Sequence, residues 1–327
     1  MEIVIIILQL LGGVVGLHFG AEWLVSGSSR LALSFGVKPL IIGLTLVAFG
    51  TSAPELTVSM AGALSGSGDL SVGNVIGSNI ANIGLVLGIT CLIKPLPVGI
   101  EVFKRDLPAM LLAAMCVAVL PFIGGGVESG DSTVFMLSRW KGFVLLGGLA
   151  IFLLVMFRAA RGGNPDADDE EQAEEKKKRG KQIFLIILGL AVLLVGGKFF
   201  VAGAVSAATM LGIPKLVIGL TVLAIGTSLP ELATSIAALL KGESDIGLGN
   251  VVGSNIFNIF MVLGVVAVIS PLAMDARVMT FDIPIMLGFS LAVGVLAWHG
   301  KRLGRVDGAI MLTAYFLYIT NLFMGWV

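Results

Sequence analysis

The chain has 327 residues, of which 57% are hydrophobic and 13% charged, and its mean hydropathy is +1.02. A soluble chain carries about 25% charged residues, so the composition excludes an ordinary soluble domain and makes lipid the solvent for most of the sequence. Acidic and basic residues balance at 21 each, which removes the basic field that nucleic-acid binding requires. The two cysteines, Cys91 and Cys116, sit in apolar stretches and read as small hydrophobes. His18 and His299 are too few and too far apart for a haem or zinc centre.

A hydrocarbon core about 30 Å thick needs roughly 20 apolar residues per helix. That rule predicts ten spans, near 3–27, 38–64, 70–93, 106–124, 140–158, 182–204, 214–240, 246–271, 281–299 and 307–325. The first is too long for a signal-peptide core and lacks a basic leader, so it is expected to stay in the protein. Its Gly12, Gly16 and Gly20 are candidates for close helix approach. Glu22 in this span and Lys198 in the sixth occupy equivalent positions, where they either tune gating or snorkel to an interface. Between the fifth and sixth spans, residues 159–181 run from an acidic block into a basic one. Glu174/Lys178 and Glu175/Arg179 have the i, i+4 order of an exposed helix, so a solvated linker is expected, with a regulatory or anionic-lipid role for its basic half as the alternative. Sixteen Lys and Arg residues fall on the linker's side of the membrane and four on the other. This predicts a cytoplasmic linker with both termini outside.

Compared with itself at an offset of 176 residues, the chain repeats. Leu40–Leu56 (LIIGLTLVAFGTSAPEL) and Leu216–Leu232 (LVIGLTVLAIGTSLPEL) share twelve of seventeen positions, and Asp69–Ile83 and Asp245–Ile259 share ten of fifteen. The register continues through Gly36/Gly212, Pro95/Pro271, Asp106/Asp282 and Pro108/Pro284. Five spans per repeat place the second copy upside down. The expected fold is therefore an all-α, polytopic membrane protein of ten transmembrane helices in two inverted five-helix repeats, 1–158 and 182–327, with the site at the repeat interface near mid-membrane. Repetition for packing alone would preserve volume and small residues. Here Thr, Ser, Glu, Asn and Pro recur instead, which lipid penalises.

Glu55 and Glu231 each lie inside an apolar span, where a charge costs several kcal/mol and marks function by default. Around them, Gly50 to Pro54 and Gly226 to Pro230 interrupt the helix, and freed carbonyls are tolerable there only beside a cavity or an ion. Ser52-x-x-Glu55 and Ser228-x-x-Glu231 also fit a capping box, a purely structural alternative. In the second motif, Ser78 and Asn82 share a helix face, as do Ser254 and Asn258. Asn79 and Asn255 point about 100° away and are expected to bond exposed backbone or a neighbouring helix. Carboxylates, hydroxyls, amide oxygens and carbonyls form an all-oxygen set suited to hard cations such as Ca²⁺. Two carboxylates neutralise one Ca²⁺, and the same oxygens can hold Na⁺ after it leaves.

These motifs, G-T-S-x-P-E and G-N-x-x-G-S-N-I-x-N in two copies, resemble those of the cation/Ca²⁺ exchanger superfamily, most closely its prokaryotic Na⁺/Ca²⁺ exchangers. The resemblance covers nearly the whole chain. It implies that the second, third, seventh and eighth helices line the site. Glu55, Thr51, Ser52, Ser78, Asn82 and the Ala48 carbonyl are its implied ligands in one half. Glu231, Thr227, Ser228, Ser254, Asn258 and the Ala224 carbonyl are those in the other. It further implies an antiporter of a prokaryotic cytoplasmic membrane that moves Ca²⁺ and Na⁺, with no cofactor; a monomer is compatible with the sequence. Asn258 stands where some close members carry aspartate, which leaves two acids rather than three and the stoichiometry open. A Ca²⁺/H⁺ exchanger is the alternative, although proton-coupled relatives tend to show Gly-Asn where Gly50-Thr51 and Gly226-Thr227 stand here. A passive channel would need no counter-ion. An intramembrane enzyme using both glutamates would need a nucleophile or cofactor signature that the sequence lacks.

Overall fold

The computed structural model describes residues 2–124, 126–129, 132–163, 169–212, 224–298 and 300–324. Among them, seven helices are long and apolar enough to cross a membrane. These are α1 (Glu2–Phe35), α4 (Gly68–Ile93), α5 (Val102–Phe122), α6 (Arg139–Ala160), α8 (Arg179–Met210), α10 (Ser244–Ile269) and α11 (Val278–Trp298). An eighth crossing is the bent pair α2 (Pro39–Thr51) and α3 (Ala53–Leu64), which meet at 40°. Further helices are α7 (Asp169–Lys177), α9 (Leu229–Leu240) and α12 (Arg305–Met324), with a single short turn at Ala224–Gly226. Most of the first half of the expected seventh span, with Lys215, lies outside the described residues, as does His299.

The elements recur at the interval of 176 residues that separates Asn79 from Asn255. Helix α3 matches α9, and α4 matches α10 residue for residue. Within α4 and α10, π-helical turns span Asn82–Leu87 and Asn258–Leu263, and further π turns open α5 at Val102–Asp106 and α11 at Val278–Asp282. Gly36 and Gly212 both take positive φ, 66° and 75°, as do Gly66 and Gly242 at 82° and 80°. The paired prolines act through their predecessors. A residue before proline is pushed into extended backbone, and Lys94 (φ −151°) and Ser270 (φ −134°) end α4 and α10 ahead of Pro95 and Pro271. The chain is mostly helical, as expected, and short strands follow where it leaves these helices extended. β1 (Leu96–Pro97) pairs antiparallel with β5 (Arg302–Leu303). β2 (Gly126–Ser129), β3 (Ser132–Leu137) and β4 (Leu272–Met274) form a second small sheet.

Contacts divide the chain into two compact units, Met1–Thr51 with Met156–Val251 and Ser52–Val155 with Val252–Val327, so each draws on both halves of the sequence. In the first unit, α1 and α8 pack backbone to backbone. A Cβ on Gly13 would lie 2.5 Å from the Phe200 amide, and one on Gly16 2.8 Å from the Gly196 Cα. Gly20 meets Leu193 in the same way, but Gly12 has nothing within 4 Å, so the close-contact residue there is Gly13. Leu17, Leu24, Val25, Val47, Ile186 and Leu193 fill the adjoining core. Glu22 is tied to Lys241 at 2.9 Å, while Lys198 is exposed.

The linker helix α7 belongs to this unit and is only partly solvated. The expected Glu174–Lys178 pair forms at 2.5 Å. The expected Glu175–Arg179 pair is replaced. Glu175 is buried and accepts from the Gln182 amide at 2.5 Å. Arg179 instead caps α1, donating to the Ser34 carbonyl at 2.6 Å and to Ser34 Oγ at 3.2 Å, with its guanidinium 4.2 Å above the Phe35 ring. An end-of-helix carbonyl bonded by a cation, together with a cation–π contact, stabilises by about 1–3 kcal/mol. Arg179→Ala should accordingly lower the thermal unfolding midpoint in detergent more than Lys177→Ala, which removes an exposed charge; equal midpoints would show that the cap contributes nothing.

In the second unit, α4 is covered by α3, α11 and α12. Gly84 lies against Tyr315 and Phe289, and Gly88 against Gly308. The matched aspartates are held differently. Asp106 is clamped by its neighbour Arg105 (2.6 and 3.1 Å), and Asp282 accepts from the Tyr318 hydroxyl at 3.0 Å. Cys91 and Cys116 are both free thiols.

Candidate functional site

Helix α2 stops at Thr51 and α3 begins at Ala53 with Pro54 in its first turn, where a missing N–H costs nothing. The break leaves Ser52 between them at φ −78°, ψ 4°. Ser228 before α9 has φ −87°, ψ 2°, with Pro230 in the equivalent place. Neither serine makes a side-chain cap hydrogen bond, so the capping-box reading fails at both. Ser52 Oγ and Ser228 Oγ are buried and lack a hydrogen-bond partner among the described residues. Glu55 and Glu231 are wholly buried in the first turns of α3 and α9, where the helix N-terminus favours negative charge.

In the second unit, Asn74 on α4 donates to the Glu55 carbonyl at 3.3 Å and to Ser59 Oγ at 3.0 Å. Ser71 Oγ donates to the Ser59 carbonyl at 2.6 Å, so α3 and α4 are pinned beside the carboxylate. The first unit repeats the arrangement. Asn250 on α10 donates to the Glu231 carbonyl and to Ser235 Oγ, both at 3.4 Å. Its own Oδ1 accepts from Thr51 Oγ1 at 3.0 Å. Thr51, from the first half of the sequence, and Glu231, from the second, thus share one partner. Thr51 Oγ1 also lies 3.4 Å from the Ala48 carbonyl. Thr227 is half-buried, and Ala224 opens the short helix Ala224–Gly226.

The other motif residues converge within the second unit. Ser78, Asn79 and Asn82 on α4 and Ser254, Asn255 and Asn258 on α10 are all buried. Asn79 and Asn255 exchange amide-to-carbonyl bonds, Asn79 Nδ2 to the Asn255 carbonyl at 3.3 Å and Asn255 Nδ2 to the Asn79 carbonyl at 3.4 Å. Asn82 Nδ2 donates to Asn255 Oδ1 and Asn258 Nδ2 to Asn79 Oδ1, each at 3.1 Å. Both expectations for Asn79 and Asn255 are met at once, backbone and neighbouring helix. The oxygens left over, Asn82 Oδ1 and Asn258 Oδ1, are buried without a hydrogen-bond partner among the described residues.

Sequence reasoning gave no role to Asn74, Asn250, Ser59 and Ser235, which fix the two glutamate-bearing turns. The signal was present, since Ser59 recurs as Ser235 at the same offset as Asn74 and Asn250. Only the fold shows that the serine and the asparagine meet.

Long apolar helices, a broken span and buried acceptor oxygens at the break and on the two most enclosed long helices mark a polytopic membrane protein. The comparisons specify the class. A family model described as sodium/calcium exchanger protein matches residues 5–158 and 181–324, and the chain belongs to that family. The sodium/calcium exchanger MaX1 of Methanosarcina acetivorans is 35% identical over 97% of this chain and 98% of its own length. The inner membrane protein YrbG of Escherichia coli is 37% identical over 96% and 95%. Among solved structures, the sodium-calcium exchanger NCX_Mj soaked with Na⁺ and without Ca²⁺ matches with a TM-score of 0.82 and 33% identity, covering 98% of this chain and 100% of that one.

Proposed function

We propose that the chain is a secondary active antiporter that exchanges Ca²⁺ for Na⁺ by alternating access at one shared, all-oxygen site near mid-membrane. The observation that carries this reading is the set of buried acceptors in the two repeated motifs: Ser52 Oγ, Ser228 Oγ, Asn82 Oδ1 and Asn258 Oδ1 lack hydrogen-bond partners among the described residues. A buried oxygen left unsatisfied costs about 1–3 kcal/mol, and four of them in symmetric places call for a cation. Glu55 and Glu231 supply the charge that a divalent ion needs. Thr51, Thr227, Ser78, Ser254 and the carbonyls of Ala48 and Ala224 complete the ligands and divide between Ca²⁺ and Na⁺. Competition for common oxygens enforces exchange, because neither ion leaves a charged, dry site until the other replaces it.

Ten helices and inverted repeats belong to the same proposal, with α9 in the seventh span and α12 as the tenth. The linker is cytoplasmic, both termini are outside, and the host is a prokaryotic cytoplasmic membrane. The likeness to the sodium-calcium exchanger NCX_Mj, solved in Na⁺, Ca²⁺ and Sr²⁺ soaks, and the Gly-Thr pairs at 50–51 and 226–227 favour Na⁺ over H⁺ as counter-ion. The test is ⁴⁵Ca²⁺ uptake into proteoliposomes loaded with Na⁺, K⁺ or an acidic buffer. Uptake that requires an outward Na⁺ gradient is expected. Uptake driven by a pH jump alone would move the protein to Ca²⁺/H⁺ exchange, and uptake without any counter-ion would make it a channel.

A further inference from the structure

An asparagine amide has one end that accepts and one that donates, so a cation beside it is held only if the oxygen faces the ion. Asn82 and Asn258 could present either end. Their orientation is settled one residue away from any ligand, by groups that can only accept. The nitrogen of Asn79 points at the Asn255 carbonyl (3.3 Å) and the Met286 thioether (3.7 Å). The nitrogen of Asn255 points at the Asn79 carbonyl (3.4 Å) and the Met110 thioether (3.6 Å). Carbonyls and thioethers have no proton to give, so nitrogen must occupy those places and the oxygens of Asn79 and Asn255 must face the other way. Those oxygens accept from Asn258 Nδ2 and Asn82 Nδ2 at 3.1 Å. The nitrogens of Asn82 and Asn258 are thereby committed, and each Oδ1 is left as a buried acceptor.

The backbone takes part as well. Asn82 and Asn258 each begin a π turn. The Asn79 and Asn255 carbonyls, three residues earlier, accept from the opposite helix. All four asparagines are at most 1% exposed.

We infer that Asn79 and Asn255 are positioning residues that turn the carboxamide oxygens of Asn258 and Asn82 toward the transported cation. This rests on the cation site proposed above. It also yields a relation between positions that a packing role would not produce. An aspartate at 258 ends in oxygen on both sides, needs no turning and has no proton for the Asn79 oxygen, so removing the Asn79 side chain should carry its penalty only while residue 258 is an asparagine.

The experiment is a double-mutant cycle read by Ca²⁺-induced thermal stabilisation of the purified, full-length protein, which needs no gradient or counter-ion. Asn79→Ala is expected to raise the Ca²⁺ concentration for half-maximal stabilisation about tenfold. The same change made in an Asn258→Asp background is expected to shift it less than twofold. Asn255→Ala, alone and with Asn82→Asp, gives the symmetric cycle and serves if Asn79→Ala does not fold. Equal penalties in both backgrounds would overturn the inference and leave the two residues as packing groups. No penalty from either alanine variant would overturn it too. A wild-type protein that Ca²⁺ does not stabilise would instead overturn the cation site itself.

Discussion

Glu55→Gln and Glu231→Gln are each expected to abolish Ca²⁺ uptake while leaving the amount of folded protein unchanged. Both carboxylates are wholly buried, in the first turns of α3 and α9. Glutamine has nearly the same shape and keeps one carbonyl oxygen, so the helix breaks and the Asn74 and Asn250 bonds to the backbone carbonyls of residues 55 and 231 are undisturbed. What is lost is charge. A carboxylate oxygen about 2.4 Å from Ca²⁺ contributes on the order of 7 kcal/mol at an effective dielectric of about 20. Even a third of that is roughly a fiftyfold loss of affinity, which no rearrangement of neutral ligands recovers. The ion-free protein should respond in the opposite sense, because removing a buried charge relieves its desolvation cost. The measurement pairs ⁴⁵Ca²⁺ uptake in proteoliposomes with thermal unfolding in detergent without Ca²⁺. Flux reduced to background with an unchanged or raised midpoint is the expected pattern. Near-normal flux in either variant would end the shared-site proposal, and loss of both flux and folding would recast the glutamates as structural.

Much of this candidate site is legible in the sequence. The offset repeat and the Gly-to-Pro breaks located both glutamates, and the i, i+4 spacing placed Ser78 with Asn82 and Ser254 with Asn258. These features are local, written into the chemistry of a few consecutive residues. The features that escaped are of two kinds. The π turns at Asn82 and Asn258 carry no residue signature, since they follow from how α4 and α10 settle against their neighbours. The partners of Asn74, Asn79, Asn250 and Asn255 depend on which helix lies opposite, which no spacing rule reports. The capping box shows the converse hazard. Ser52 and Ser228 have the right spacing to their glutamates, yet their hydroxyls make no cap bond. The linker erred in a third way. Glu175 and Arg179 are correctly spaced for an ion pair, but other partners, buried Gln182 for one and buried Ser34 with the exposed Phe35 ring for the other, outcompete an exposed pair of marginal value.

Gly196→Val and Gly16→Val are expected to deplete folded protein, and the argument is geometric. A Cβ on Gly196 would lie 2.6 Å from the Leu17 backbone nitrogen, and one on Gly189 2.5 Å from that of Leu24. The contacts along α1 and α8 are thus made by main chain, which cannot rotate away as a side chain can. Association of helices in lipid has no hydrophobic drive and depends on this close approach, so a branched residue removes the interaction as well as adding a clash. Overpacking of a side-chain core costs about 1–3 kcal/mol, and backbone contact sets these sites at or above the top of that range. Gly12→Val provides the contrast. Nothing lies within 4 Å of its Cβ position, and valine is the better helix former by a few tenths of a kcal/mol. Size-exclusion profiles from detergent extracts should show little monodisperse Gly196→Val or Gly16→Val protein and wild-type amounts of Gly12→Val. A well-folded, fully active Gly196→Val protein would mean that α1 and α8 do not touch where the structure joins them. A variant that folds but transports slowly would keep the contact and assign it to motion, since helices packed through main chain must move as one body or lose their fit.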